Sequence, residues 1–136
     1  MNDWYNLNYT RTTTSAVWGA AYYIVSSVNN VLANLEGKGE VADLNNLKAE
    51  CLFLRAFSHF DVVRTYAQPY CFTADASHPG VPIIIEPQDP SDMPARSTVA
   101  QVYQQIITDL TEAEGLIAPD YKRTGVKNPA SVVSKE

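Results

Sequence analysis

Proline placement constrains this chain more than any other feature. Six of its eight prolines, Pro69, Pro79, Pro82, Pro87, Pro90 and Pro94, lie between Tyr66 and Ser97. Proline lacks an amide donor and clashes with the preceding helical turn, so this segment cannot be a helix. Only Val81 to Ile85 reads as an extended piece. A connection this long is unusual inside a small domain, and it points to function or to packing. The Pro-rich loop over 68–97 therefore separates two helical stretches before it from one after it.

The first stretch predicts a helix over 15–35, with Ser15 as cap and Gly37 ending it in the left-handed conformation. Trp18, Tyr22, Val25, Val28, Leu32 and Leu35 recur in steps of three and four. Asn29 shares the face of Val25 and Leu32, so it is expected to be buried with its amide satisfied, in a structural role. The second predicted helix covers 43–67, with Asp43 as N-cap and Pro69 as the stop. Leu47, Cys51, Leu54 and Phe57 form one row, and Phe53, Phe57 and Phe60 a neighbouring one. This wide apolar stripe predicts cover on two sides. The short link from Gly37 to Ala42 makes the two helices an antiparallel hairpin. The third helix is expected over 98–117. Thr98 and Gln101 match a capping box, and Pro119 closes the helix.

Composition removes several functions. A length of 136 residues favours one domain. The net charge of −5 argues against nucleic acid and against an anionic membrane surface. From Thr12 to Leu35 the chain carries no charge, but its many Ser, Thr and Asn side chains disfavour membrane insertion. The first residues do not read as a signal peptide. Neither Cys-x-x-Cys nor His-x-x-x-His occurs, so no metal site is expected. Glu86, Asp89 and Asp92 lack the spacing of an EF-hand. Cys51 reads as a buried small hydrophobe, and a Cys51–Cys71 disulfide stays open for an oxidising compartment. His59 is expected to face solvent or a neighbouring helix, and Asp61 with Arg64 to form a surface pair. No Ser/His/Asp arrangement, phosphate-binding glycine loop or acid/base pair can be placed, so no enzyme and no cofactor are expected.

One order of residues is distinctive. Asn29-Asn30-Val31-Leu32 precedes the run from Ala49 to Tyr66, AECLFLRAFSHFDVVRTY. Gln68-Pro69-Tyr70 and Gly80-Val81-Pro82-Ile83 follow, then Ala95-Arg96-Ser97-Thr98-Val99 through Asp109-Leu110-Thr111-Glu112-Ala113. This pattern resembles the SusD/RagB-like family of outer-membrane lipoproteins of Bacteroidetes. The resemblance implies an all-α fold of TPR-like helical hairpins carrying an irregular face. It implies a surface-exposed, non-enzymatic protein of the cell outer membrane that binds a glycan or other nutrient. It further implies delivery to a SusC-like TonB-dependent transporter, and contact with the membrane only through a lipid anchor absent from this chain. Family members are several times longer. The resemblance thus makes residues 1–136 a fragment from the N-terminal half of one SusD-like domain.

Sugars present an apolar C–H face and a rim of hydroxyls, which aromatic and amide side chains match. Trp4, Tyr5, Asn6 and Asn8 have that mixture, as an exposed glycan platform or as cover for the first hairpin. Tyr70 and Phe72, with Asp75 and His78, are the loop candidates for ligand or transporter contact, or ordinary members of a surface loop. Two other functions compete: a helical-repeat adaptor that binds only proteins, and a glycan-processing enzyme, which needs two placed carboxylates.

Overall fold

The computed structural model describes residues 11–38, 42–89, 91–119 and 121, without the side chains of 11–14 and 42. Three helices follow in order: α1 (Arg11–Leu35), α2 (Ala42–Tyr66) and α3 (Val99–Leu116). The all-α class holds. None of the helices is long and apolar enough to cross a membrane among the described residues.

Helix boundaries differ from expectation at two N-termini. Helix α1 starts at Arg11, so Ser15 lies inside it and is not its cap. No proline or glycine interrupts Arg11 to Thr14, so nothing there stops the helix. Helix α2 starts at Ala42, which moves Asp43 from the cap into the first turn. There its carboxylate still faces the positive end of the helix dipole. Gly37 does adopt a left-handed φ of 74° after α1. At α3 the capping box forms: Thr98 Oγ1 accepts from Gln101 N at 3.2 Å, and Gln101 Oε1 from Thr98 N at 2.9 Å.

Helix α2 is the centre of the fold and packs against both α1 and α3. One apolar cluster joins Ala21, Ala56, Val62, Val63, Val81, Val99, Val102 and Ile106. A second joins Ala49, Leu52, Ala113 and Ile117. The wide α2 stripe is covered on two sides, by α1 and α3, and part of it stays exposed. Leu54 is 41% exposed and Phe57 57%, with the Phe53 and Phe57 rings stacked at 6.3 Å. Both neighbouring helices sit on the opposite side, where Leu52, Ala56, His59 and Val63 are buried. The two cysteines do not pair: Cys51 is buried and Cys71 exposed. Fifteen helical residues separate Cys51 from the end of α2, about 22 Å at 1.5 Å per residue, beyond disulfide reach.

From Ala67 to Thr98 the described chain contains a 3-10 turn, Tyr70–Phe72, and neither α-helix nor strand. Residues 80–86 run as a strap across α1 and α2. Among the described residues it carries no strand, and a single bridge beside it pairs Pro79 with Thr98. Gly80 and Val81 bond to the Ser97 backbone, and from Pro82 onward side chains meet the strap's backbone. Tyr22 OH donates to Pro82 O at 2.7 Å. Asn29 Nδ2 donates to Ile84 O at 3.1 Å and Glu86 O at 3.2 Å. Arg55 Nη1 donates to Ile85 O at 3.0 Å, and Ile84 N donates to His59 Nε2 at 3.3 Å. Asn29 is buried in a structural role, as expected. His59 is 1% exposed, so of its two expected surroundings it has the helix partner, Tyr22 of α1 edge-on at 6.2 Å, and it also meets the strap.

Beneath the strap lies an ion pair between helices. Arg55 Nε and Nη2 grip the two Asp109 oxygens at 2.8 Å each, and Arg55 Nη1 also donates to Asn29 Oδ1 at 3.0 Å. Gln105 Nε2 adds a bond to Asp109 at 2.8 Å. This bidentate geometry offsets the desolvation of two buried charges.

Candidate functional site

The exit of α2 turns sharply because Gln68 precedes Pro69, which pushes it from helical geometry. Phe72 N then donates to Pro69 O at 2.9 Å, closing the 3-10 turn. Three ties fix this turn to the scaffold. Arg96 Nη2 donates to Tyr66 O at 3.0 Å, while its Nε donates to Gly80 O. His78 Nε2 donates to Gln68 O at 3.2 Å, so its Nδ1 accepts from Thr73 Oγ1 at 2.9 Å. Gly80 N donates to Ser97 O at 2.7 Å, and Ser97 N to Val81 O at 3.1 Å. A Cβ on Gly80 would lie 2.9 Å from Ser97 O and 3.0 Å from Val99 N, so only glycine lets these two strands of backbone approach.

Two hollows flank the turn. One, of about 450 Å³, is lined by Tyr66, Gln68, Phe72, His78 and Arg96 among others. The second, of about 360 Å³, is lined by Arg64, Gln68, Pro69, Tyr70 and Tyr103 among others. Each contains one aromatic ring that is largely exposed: Phe72 at 63% and Tyr70 at 51%. Neighbouring rings brace both, His78 against Phe72 at 5.3 Å and Tyr103 against Tyr70 at 5.1 Å, edge to face. Each hollow also has an arginine, and Gln68 lines both. Arg64 lies 4.9 Å over the Phe60 ring and 3.9 Å from Asp61, the surface pair read from the sequence. The arrangement offers flat apolar area beside hydrogen-bond donors, which suits a ligand with both kinds of surface.

A third hollow, of about 310 Å³, opens between α1, α2 and the strap. Its rim is charged, with Glu36, Glu86 and a Lys48–Glu112 ion pair at 2.6 Å. Its lining includes no aromatic ring.

The structure thus brings Tyr70 and Phe72 together on one turn. Trp4, Tyr5, Asn6 and Asn8 lie outside the described residues. His78 drops out as a ligand contact through its polar atoms: it is buried and both ring nitrogens are engaged within the protein. Asp75 is exposed but turned on its own loop, accepting from Ser77 N at 3.1 Å. Bonds from the Ser77 side chain, then its backbone, hold the Asp75 carboxyl below its ordinary range. Two of the three acidic residues named above are likewise used locally. Asp89 accepts from Ser91 Oγ at 2.6 Å, and Asp92 from Asp89 N at 2.8 Å. Gln68, Arg96 and Tyr103 were not singled out for function by their sequence pattern. Their spacing carries no signal, because only the folded loop places them beside Tyr70 and Phe72.

These features define a class first: a helical-hairpin scaffold that props an irregular turn with braced, exposed aromatic rings. A family model described as "starch-binding associating with outer membrane" matches residues 1–133, and the chain belongs to that SusD-like family. Solved relatives agree. A SusD superfamily protein from Bacteroides vulgatus is 36% identical at a TM-score of 0.71, over 83% of this chain and 26% of its own. A SusD superfamily protein from Bacteroides thetaiotaomicron is 34% identical at 0.67, over 72% and 22%. A SusD-like carbohydrate binding protein from Bacteroides vulgatus is 29% identical at 0.70, over 83% and 24%. The chain therefore spans about a quarter of the length of these relatives. No curated protein matches.

Proposed function

We propose that this chain is part of a carbohydrate-binding protein of the outer membrane, and that it binds without catalysing. The observation that carries the reading is the pair of braced rings, Tyr70 and Phe72, each beside an arginine and with Gln68 between them. Sugar rings stack on such faces while amide and guanidinium groups meet their hydroxyls. Family membership supports carbohydrate as the ligand class and the outer membrane as the location. Trp4, Tyr5, Asn6 and Asn8 extend the same platform in this proposal. Surface exposure through a lipid anchor, and delivery of the ligand to a SusC-like TonB-dependent transporter, complete the assigned role.

The test is titration of the intact parent protein with soluble oligosaccharides, led by maltoheptaose. Tyr70→Ala and Phe72→Ala should each weaken binding about 3–10-fold, the scale of one aromatic contact. Helical circular dichroism should not change. Binding by neither the parent nor its variants, or affinities that ignore both substitutions, would overturn the assignment. One observation favours a second reading, a module that docks only protein: the exposed Leu54 and Phe57 on α2. Loss of transporter co-purification in Phe57→Ser, with no oligosaccharide bound by the parent, would support that alternative.

A further inference from the structure

The strap over 80–86 is unusual in how it is held. An extended segment normally satisfies its peptides in a ladder, but beyond the bonds of Gly80 and Val81 to Ser97 this one relies on side chains of α1 and α2. Of those side chains, His59 alone can change its hydrogen-bonding role in mildly acid solution. Arg55 stays charged. Burial pushes the Tyr22 hydroxyl far above its ordinary range, against the nearby Arg96.

The partners fix the His59 tautomer. A carbonyl only accepts, so Nδ1 carries the proton that meets Arg55 O at 3.0 Å. A peptide N–H only donates, so Nε2 presents its lone pair to Ile84 N at 3.3 Å. Protonating Nε2 sets one N–H against another and removes the acceptor of Ile84. The ring is 1% exposed, so water cannot solvate the new charge in place.

The surrounding charges do not rescue it. On α1 the Tyr22 ring stands edge-on at 6.2 Å, with its hydroxyl already given to Pro82. On α2 Arg55 lies one turn away and opposes a second positive charge. On α3 Asp109 favours it, but is committed to Arg55. The strap carries no titratable side chain from Val81 to Ile85, and Glu86 is exposed.

We propose that His59 is an acid-sensitive clasp: neutral it holds Ile84, and protonated it releases the strap. Burial holds the folded imidazole below its ordinary value, with the Arg55 carbonyl and Asp109 acting in the opposite direction. The unfolded chain therefore binds the proton first. Stability is full above about pH 6.5 and falls as pH drops from there toward the folded value. The clasp stands independently of the carbohydrate reading.

The test is amide hydrogen exchange on the full chain at pH 7.5 and pH 5.0, expressed as protection factors that remove the intrinsic pH effect. The Ile84 amide should lose protection about tenfold or more in acid, while Val102 in α3 changes little. His59→Gln supplies a carbonyl acceptor that does not titrate, so its Ile84 protection should not depend on pH. Constant protection in the wild type, or the same acid loss in His59→Gln, would overturn the clasp. The nitrogen shifts of the wild-type ring decide independently of any variant. A proton on Nδ1 at pH 7.5 supports the clasp, and one on Nε2 refutes it.

Discussion

Replacing Arg55 by methionine should be among the most damaging single changes in this chain. Methionine resembles the apolar stem of arginine but ends short of the guanidinium and carries no donor. Four hydrogen bonds vanish: two to Asp109, one to Asn29 and one to Ile85 O. Asp109 is 1% exposed, and Gln105 would remain as its side-chain partner. Breaking one side of a buried pair costs about 3–5 kcal/mol, because the surviving charge is stranded. That is a large share of the roughly 5–15 kcal/mol available to a domain. The double variant Arg55→Met/Asp109→Leu strands no charge. It should therefore recover about 2 kcal/mol or more relative to the single variant, although Ile85 O and Asn29 Oδ1 still lack the guanidinium. Urea unfolding of the full chain, followed by helical circular dichroism, measures both. A single variant within about 1 kcal/mol of wild type, or a double variant less stable than the single, would refute the reasoning.

Two further outcomes follow from the same geometry. Asn29→Leu removes two bonds to the strap and one acceptor from Arg55, and should lower stability by about 2–4 kcal/mol in urea unfolding. Carbohydrate affinity of the intact parent should survive at low temperature, since Asn29 is structural; lost affinity with a native spectrum would contradict that role. Gly80→Ala puts a methyl 2.9 Å from the Ser97 carbonyl and should lower the melting temperature by an amount worth about 1–3 kcal/mol. An unchanged melting temperature would show that the strap can shift freely.

The helical part of the fold was legible because it rests on local chemistry. The capping box of Thr98 and Gln101, the left-handed Gly37 and the stop before Pro69 each involve neighbours within a few residues. Asn29 could be placed inside because it shares a helix face with Val25, which is buried, and Leu32, which is half-buried. The clasp and the ion pair were not legible. Arg55 and Asp109 stand 54 residues apart, and each alone looks like an ordinary charge on a helix surface. The same holds for His59, whose partner in the strap is 25 residues away. Leu54 and Phe57 belong to the wide apolar stripe, but α1 and α3 pack on the other side of α2 and leave them exposed. Tyr70 and Phe72, the rings of the candidate site, were picked out by residue type. Arg96 was not, because its role depends on the loop bringing it beside Tyr66.

The buried polar cluster and the candidate site divide their work in a way that bears on function. A grouping of Arg, Asp, His and Asn between helices, with a lowered histidine, is the kind of constellation that marks active sites. Here its bonds run to protein. Asp109 meets Arg55 and Gln105, His59 meets two backbone groups, and Asn29 meets the strap and Arg55. A reaction would have to break bonds that hold the strap in place, so the cluster serves as an anchor. The anchored strap in turn fixes Gly80, and Arg96 ties Gly80 to the end of α2, where the turn with Tyr70 and Phe72 begins. Exposed rings on a loop would normally lose conformational freedom on binding, at a cost of about 0.5–1.5 kcal/mol per side chain. Bracing by Tyr103 and His78 meets part of that cost during folding. In the proposed carbohydrate reading the helices would therefore contribute to binding at a distance, by holding the irregular turn whose rings form the surface.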